Sequence, residues 1–194
     1  MLFRSSKELI ATAKNKDKVI TEDLKEAVKS GHGNLVGLEY RIKGEDSLSR
    51  KLEGKAISKG ISIKAYAEQV TDVLRYTNSS KPEHLTEDFF NIVGELEKKG
   101  YNLIEVTNTF NVPGSPYRGI NTLVKDRSGY VFELQFHTPE SLEVKEINHK
   151  LYVEQRLTAT AEFRKAELKK KMKENSMKIL MPSDIERIHN LGGK

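Results

Sequence analysis

The stretch Ile120-Asn-Thr-Leu-Val-Lys-Asp-Arg-Ser-Gly-Tyr-Val-Phe-Glu-Leu-Gln-Phe-His137 decides the fold. Two runs rich in β-branched and aromatic residues, 120–125 and 130–137, flank the turn composition Asp126-Arg-Ser-Gly129, which predicts a β-hairpin. In the second arm Tyr130, Phe132, Leu134 and Phe136 fall on one face, and Val131, Glu133, Gln135 and His137 on the other. A sheet with such faces buries the first under helices and can offer the second to a ligand.

Upstream, residues 101–110 predict another strand, running into the turn-rich loop Asn111-Val-Pro-Gly-Ser-Pro116. Residues 86–99 have helical spacing, with Phe89, Val93 and Leu96 inward and Gly100 as the stop. Residues 72–77 predict a short strand ended by the loop 78–82, and residues 65–70 a helix. Leu38, Tyr40 and Ile42 alternate with Glu39, Arg41 and Lys43, the pattern of a strand with a cationic face. It is followed by a helix capped at Asp46 or Ser47 and running to about residue 59. Residues 5–30 carry helical spacing in two pieces, Leu9/Ile10/Ala13 and Leu24/Ala27/Val28, separated by polar residues 14–17. Downstream, the Thr138 cap and Pro139 start helix that continues with breaks to about residue 175. Ser183 with Glu186 forms a capping box for a last short helix. The expected fold class is α/β (α+β): a mixed, mainly antiparallel sheet of about five strands flanked by helices. A helical N-terminal extension would occupy 1–35, a core 36–160 and a C-terminal helical extension 161–194.

The 194 residues include no cysteine, which excludes disulfide scaffolds, thiolate zinc sites and cysteine nucleophiles. With 37% hydrophobic and 31% charged residues there is material for one core under a charged surface. No apolar run approaches the ~18 residues of a membrane span, and Met1-Leu-Phe-Arg4 leads directly into polar sequence. Hence a cytoplasmic site of action and no membrane partner are expected. The 33 basic and 28 acidic residues leave a formal charge of +5, a modest bias toward polyanions.

Three polar groupings could carry chemistry. Arg41 and Lys43, with Ser47 and Lys51 one helical turn apart on the next element, would suit a polyphosphate; a solvated basic edge strand fits the spacing equally well. Asp72, among Val70, Val73 and Leu74 and close to Arg75, is either a metal ligand or an arginine partner. The face of Glu133, Gln135 and His137 is either a ligand wall, with Glu133 joining Asp72 on Mg²⁺, or an exposed sheet face. No glycine-rich phosphate loop and no H-E-x-x-H occurs, so a nucleotide would be held by side-chain cations. His32, His84 and His189 fall in loop or surface contexts and His149 on a helix, with no catalytic role expected.

In order, Tyr40-Arg41-Ile-Lys43-x3-Ser47-x3-Lys51, Asp72-Val-Leu-Arg75-Tyr-Thr77, Tyr117-Arg-Gly-Ile-Asn121 and Phe132-Glu133-Leu-Gln135-Phe-His137-Thr138 resemble the synthetase domain of the RelA/SpoT family over residues 38–156. The wording Asp-Val-Leu-Arg-Tyr and Glu-Leu-Gln-Phe-His-Thr-Pro-Glu-Ser is most similar to its small, toxin-type members. The resemblance implies a nucleotidyltransferase-like fold and a pyrophosphokinase that moves the β,γ-pyrophosphate of ATP to the 3′-hydroxyl of a purine nucleotide. It also implies that Arg41, Lys43, Ser47, Lys51 and Arg75 bind ATP, that Asp72 and Glu133 are catalytic and hold Mg²⁺, and that Tyr117, Asn121, Gln135 and His137 bind the acceptor. The cleft would then lie between the Lys51 helix and the Tyr117 loop. A toxin of this kind, secreted or phage-encoded, would have an immunity or antitoxin protein as partner.

This sequence departs from the family pattern in three places. Asp72-Val-Leu-Arg75 replaces Asp-x-x-Gly-x-Arg, making Arg75 the stand-in for the family arginine, Tyr117-Arg-Gly-Ile-Asn121 replaces Tyr-x-Ser-x-His, and Val112-Pro-Gly-Ser-Pro116 lacks the lysine and asparagine that housekeeping members place before the tyrosine. Because the altered positions help select guanine, adenine and guanine acceptors both stay open. So do transfer to the tRNA 3′-CCA end, served by the basic residues 164–173, and an inactive nucleotide-sensing module.

Overall fold

The computed structural model describes residues 6–192. The first five residues of the expected N-terminal extension and the last two of the C-terminal one lie outside the described residues. Among the described residues five strands form one sheet in the order β1 (Asn34–Val36), β2 (Arg75–Ser79), β5 (Val131–His137), β4 (Ile120–Lys125) and β3 (Asn102–Asn108). All neighbours run antiparallel except β2 and β5, which are parallel, with Arg75 opposite Glu133 and Thr77 opposite Gln135. The expected sheet and hairpin are both present.

Paired residues share a face, so the parallel register sorts the sheet into two sides. Tyr76, Leu134, Phe132, Phe136, Ile120 and Val124 are buried on one of them. They belong to a single cluster with α1 (Ser6–Ala27) and α4 (Leu85–Lys98), which contribute Ile20, Leu24, Phe89, Ile92 and Leu96. Phe132 sits edge-on to both Tyr76 and Tyr101, with ring centroids 5.8 and 6.1 Å apart. Arg75, Thr77, Glu133 and Gln135 occupy the opposite side. There α5 (Pro139–Gln155) and α6 (Glu162–Met177) are stacked on each other beyond the sheet.

Several local expectations are corrected. Residues 6–27 form one helix, because Leu9, Ala13, Ile20, Leu24 and Ala27 make one continuous buried stripe and polar residues 14–17 do not interrupt it. The strand expected over 38–43 is absent: Gly37 takes φ 63°, and Leu38–Tyr40 turn as a 3₁₀ helix. Of the expected pairing only the Ile42–Leu74 bridge survives, flanked by Lys43 N–H donating to Val73 and Arg75 N–H donating to Arg41. The sheet edge is instead made by Asn34–Val36. Neither Asp46 nor Ser47 caps α2 (Glu45–Lys59); Gly44 occupies that position. Ser183 does not form a capping box, since Asp184 has φ 54° and Ile185–Arg187 make a single 3₁₀ turn. The expected helix at 65–70 is Ile63–Ala67, named α3. Val93 is only half-buried, and Ile92 fills the core position.

At the far edge, β3 carries a register shift between Leu103 and Glu105, and Val106 exchanges two backbone hydrogen bonds with Leu191. Among the described residues no helix is long and apolar enough to cross a membrane. Phe132→Ala should destabilise the fold by about 3–5 kcal/mol, because neither aromatic neighbour can collapse into the gap. Urea denaturation at neutral pH checks this.

Candidate active site

Asp72 lies just before β2, where the bridge to Ile42 draws in the 41–43 segment and α2 passes alongside. Lys43 Nζ donates to Asp72 Oδ2 at 2.8 Å and Lys51 Nζ to Oδ1 at 2.6 Å. Burial pushes the Asp72 carboxyl up, but the two ammonium hydrogen bonds outweigh it and hold it below its ordinary value. Burial pulls Lys43 down, with Asp72 opposing. Arg75 follows on β2; its charge acts on Lys43 and also on Lys145 of α5, so it stands between two charged groups. Ser47 is exposed on α2.

Beside Arg75, Glu133 accepts a hydrogen bond from Gln135 Nε2 at 2.9 Å, and Gln135 Oε1 accepts one from Lys145 Nζ at 2.8 Å. Burial pushes Lys145 down, with Glu133 and Glu146 opposing. The chain Lys145, Gln135, Glu133 fixes the orientation of the Gln135 amide by the charge at each end. Lys145 is a site residue that the sequence analysis missed. Its signal is a polar face on α5, with Ser141, Lys145 and Asn148 at helical spacing, which a search keyed on apolar periodicity passes over.

A cleft of about 970 Å³ opens on this side of the sheet. Its floor includes Arg75, Thr77 and Gln135, one wall is residues 36–41, and the other is α5 and α6 with Tyr117 and Pro116 at the end. The expected position between α2 and the Tyr117 loop is therefore corrected. Lys43, Ser47, Lys51, Asp72 and Glu133 do not line the cleft, and its far wall is helical because α5 and α6 fold back over the polar face.

Tyr117 Oη is held at 2.8 Å by both Asn121 Oδ1 and His137 Nε2, and burial together with the Glu133 charge raises its pKa. His137 is fully buried beside Tyr117, and its Nδ1 lies 2.8 Å from Ser141 Oγ. Ser141 also completes the capping box with Thr138 that starts α5. The strand end, the helix cap and the Tyr117 hydroxyl are thus one hydrogen-bonded unit.

Arg41 lines the cleft, yet its fork is occupied. Nε and Nη2 donate to the two carboxylate oxygens of Asp17 at 2.6 and 2.7 Å, and Nη1 to the Leu38 carbonyl at 2.6 Å. Asp17 falls on the buried stripe of α1, four residues after Ala13, and also accepts from Thr21 and Tyr76. The arginine hydrogen bond is the main reason its carboxyl lies below the ordinary value. Asp17 was not among the site residues expected from sequence, although a carboxylate on an apolar stripe was visible there.

Solved structures share this fold. The Type VI effector Tas1, seen in complex with its immunity protein, superposes with TM-score 0.55 at 16% identity, covering 91% of this chain and 97% of that one. A GTP pyrophosphokinase family protein from Streptococcus pneumoniae gives 0.55 at 16%, covering 86% and 85%. Small alarmone synthetase 1 from Bacillus subtilis, bound to its product pppGpp, gives 0.54 at 18%, covering 87% and 88%. The chain has the small alarmone synthetase fold. At these identities the likeness establishes architecture. No protein-family model and no curated protein sequence matches the chain.

Within this synthetase fold, His137 gives the site a pH signature. Burial, then the Lys145 charge, push its imidazole from 6.5 down to about 3. Below 6.5 the unfolded chain takes up a proton that the folded protein refuses. Stability contributed by neutral His137 is therefore full above about 6.5 and is lost progressively toward about 3. Asp17 and Asp72, with folded values below 3.8, lose their contribution only in a lower window, as pH falls through those values. Denaturation midpoints should decline from pH 7 to about 5 in the wild type, and His137→Gln should remove most of that decline.

Proposed function

We propose that this protein is a pyrophosphokinase that transfers the β,γ-pyrophosphate of ATP to the 3′-hydroxyl of a purine nucleotide, giving a (p)ppApp- or (p)ppGpp-type product and AMP. The observation that carries this reading is the parallel pairing of β2 with β5. It brings Arg75 beside Glu133 and Thr77 beside Gln135, with the Lys43–Asp72–Lys51 cluster just ahead of β2 and a cleft lined by Arg75, Gln135 and Tyr117. The synthetase fold and a relative of that fold bound to pppGpp support it.

In this reading Lys43, Lys51 and Arg75 take the phosphates of ATP, with Ser47 at the exposed entrance and Arg41 contributing once it leaves Asp17. Tyr117 packs on the acceptor base and Gln135 hydrogen-bonds the acceptor, while Asn121 and His137 hold the Tyr117 hydroxyl in place. The 3′-hydroxyl oxygen forms its bond to the β-phosphorus as its proton passes to Glu133. The bond from that phosphorus to the α,β-bridging oxygen breaks, and AMP departs with the electron pair. Most of the acceleration would come from positioning and charge neutralisation.

Asp72 and Glu133 would hold Mg²⁺, and the donor chemistry fits: both are hard carboxylates, and Asp72 is kept ionised. Bound there, the ion would supply charge neutralisation on the transferring phosphates. Lys43 and Lys51, now on Asp72, would find replacement acceptors in those phosphates.

The likeness to Tas1, an effector with an immunity protein, supports an effector-type toxin domain with an immunity protein as partner; growth inhibition in the cytoplasm of a target cell is part of the same proposal. The tRNA alternative is not favoured, because on the basic helix Arg164 pairs with Glu154 and Glu167, Lys165 with Glu162 and Lys170 with Glu174.

Incubation with ATP, Mg²⁺ and GDP, GTP, AMP or ADP in turn, followed by chromatography and mass analysis, should yield an acceptor heavier by one pyrophosphate together with AMP. Glu133→Gln and Asp72→Asn should each lower the rate by about 10²-fold or more. Tyr117→Ala should raise the acceptor KM more than it lowers kcat. Folded protein that makes neither product would leave a nucleotide sensor as the better reading.

A further inference from the structure

We infer that His32, His84 and Glu87 form a second metal site, suited to a zinc-class divalent cation, at the opposite end of β2 from Asp72. His32 lies in the Gly31-His-Gly33 turn before β1, His84 immediately precedes α4, and Glu87 is in its first turn. One ligand atom from each lies within 4.8 Å of the other two. Tetrahedral zinc with bonds of about 2.0–2.1 Å needs ligand separations of about 3.3 Å, so closing the site asks the ligand atoms to draw together by up to about 1.5 Å with a rotation of one imidazole. His32 and Glu87 are exposed and free to move, and His84 is half-buried.

The surroundings resemble a support built for ligation more than a chance meeting of surface groups. The imidazoles stack with centroids 4.0 Å apart and planes 13° from parallel, so their in-plane lone pairs run side by side and one ring must swing out of the stack to share an ion. His32 Nδ1 sits 3.4 Å from Asp88 Oδ1, and the His32 backbone N–H donates to the same oxygen at 2.8 Å. A ring whose Nδ1–H faces a carboxylate presents Nε2 as the donor atom, the outer-shell arrangement common to metal-bound histidines. Asp88 is itself fully buried and fixed by Ser80 Oγ at 2.5 Å, which in turn accepts from Asn78 Nδ2. The turn is compressed against this network: a Cβ at Gly31 would overlap the Asp88 carboxylate, and one at Gly33 the Ser80 hydroxyl.

The positive end of the α4 dipole opposes a cation here, and the Glu87 and Asp88 carboxylates in its first turn offset it. Two imidazoles with one carboxylate select zinc and its neighbours over Mg²⁺, which prefers oxygen. A cation bound here would clip the turn that leads into β1 onto the start of α4. Val36 and Gly37, at the end of that strand, line the catalytic cleft.

The test uses the full chain, stripped with chelator and titrated with ZnCl₂ in calorimetry, with thermal unfolding followed in parallel. One equivalent should bind with Kd below about 10 μM, and Tm should rise by several degrees at saturation. His32→Ala and Glu87→Gln, both at exposed positions, should weaken binding at least 10-fold and lose the Tm shift, while the surface variant His189→Ala keeps both. Absence of zinc binding at 100 μM, or binding that survives His32→Ala together with His84→Ala, overturns the assignment. ATP turnover is not read, so the outcome is independent of the catalytic proposal.

Discussion

Parallel pairing of β2 with β5 is the constraint from which the rest follows. Parallel neighbours cannot be joined by a tight turn, so the chain between them must leave and return. Here it does so through α4, β3 and β4. The crossover delivers α4 to the apolar face as a cover, and the β4–β5 hairpin brings Glu133 and Gln135 back beside Arg75 and Thr77. One register thus builds the core on one side and gathers the charged groups on the other. A slip of one residue would put Phe132 and Leu134 into the cleft.

Charge in the site is arranged as compensated groups. Asp72 is saturated by two lysines, Arg41 by Asp17, and Gln135 is suspended between Lys145 and Glu133. Partly buried ions are tolerable only when paired, so in the absence of ligand these cations keep their desolvation cost low by bonding to carboxylates or amides. A ligand rich in phosphate oxygens offers equivalent acceptors. Binding would exchange partners without having to create charge in an apolar setting.

How much was legible in the sequence divides along physical lines. The hairpin, α4, the start of α5 and the polar face of β5 rest on local periodicity and turn chemistry, which carry their own signal. Lys43 and Lys51 were read as one cationic group and Asp72 as a separate carboxylate; the structure joins them through two ammonium–carboxylate hydrogen bonds. The segment 38–43 was misread because its alternation is genuine, but a single positive φ at Gly37 redirects the backbone before the strand can form. The two-piece reading of α1 failed for a related reason: Asp17 looks like an interruption of the apolar stripe until Arg41 and Tyr76 are known to satisfy it. Burial of His137 was not legible either. It depends on Tyr117 and Ser141, which reach it from separate elements.

The sheet margins have a consequence for life at high concentration. An exposed, flat, long edge strand is a template on which another chain can extend a sheet. At one margin β1 is only three residues long. At the other, β3 is kinked where its register shifts, and Val106 already has its bonds taken by Leu191. Neither side presents an uninterrupted ladder of free amides and carbonyls. A protein so trimmed can accumulate during expression with little tendency to recruit copies of itself into fibrils, and any association it does make must run through side chains.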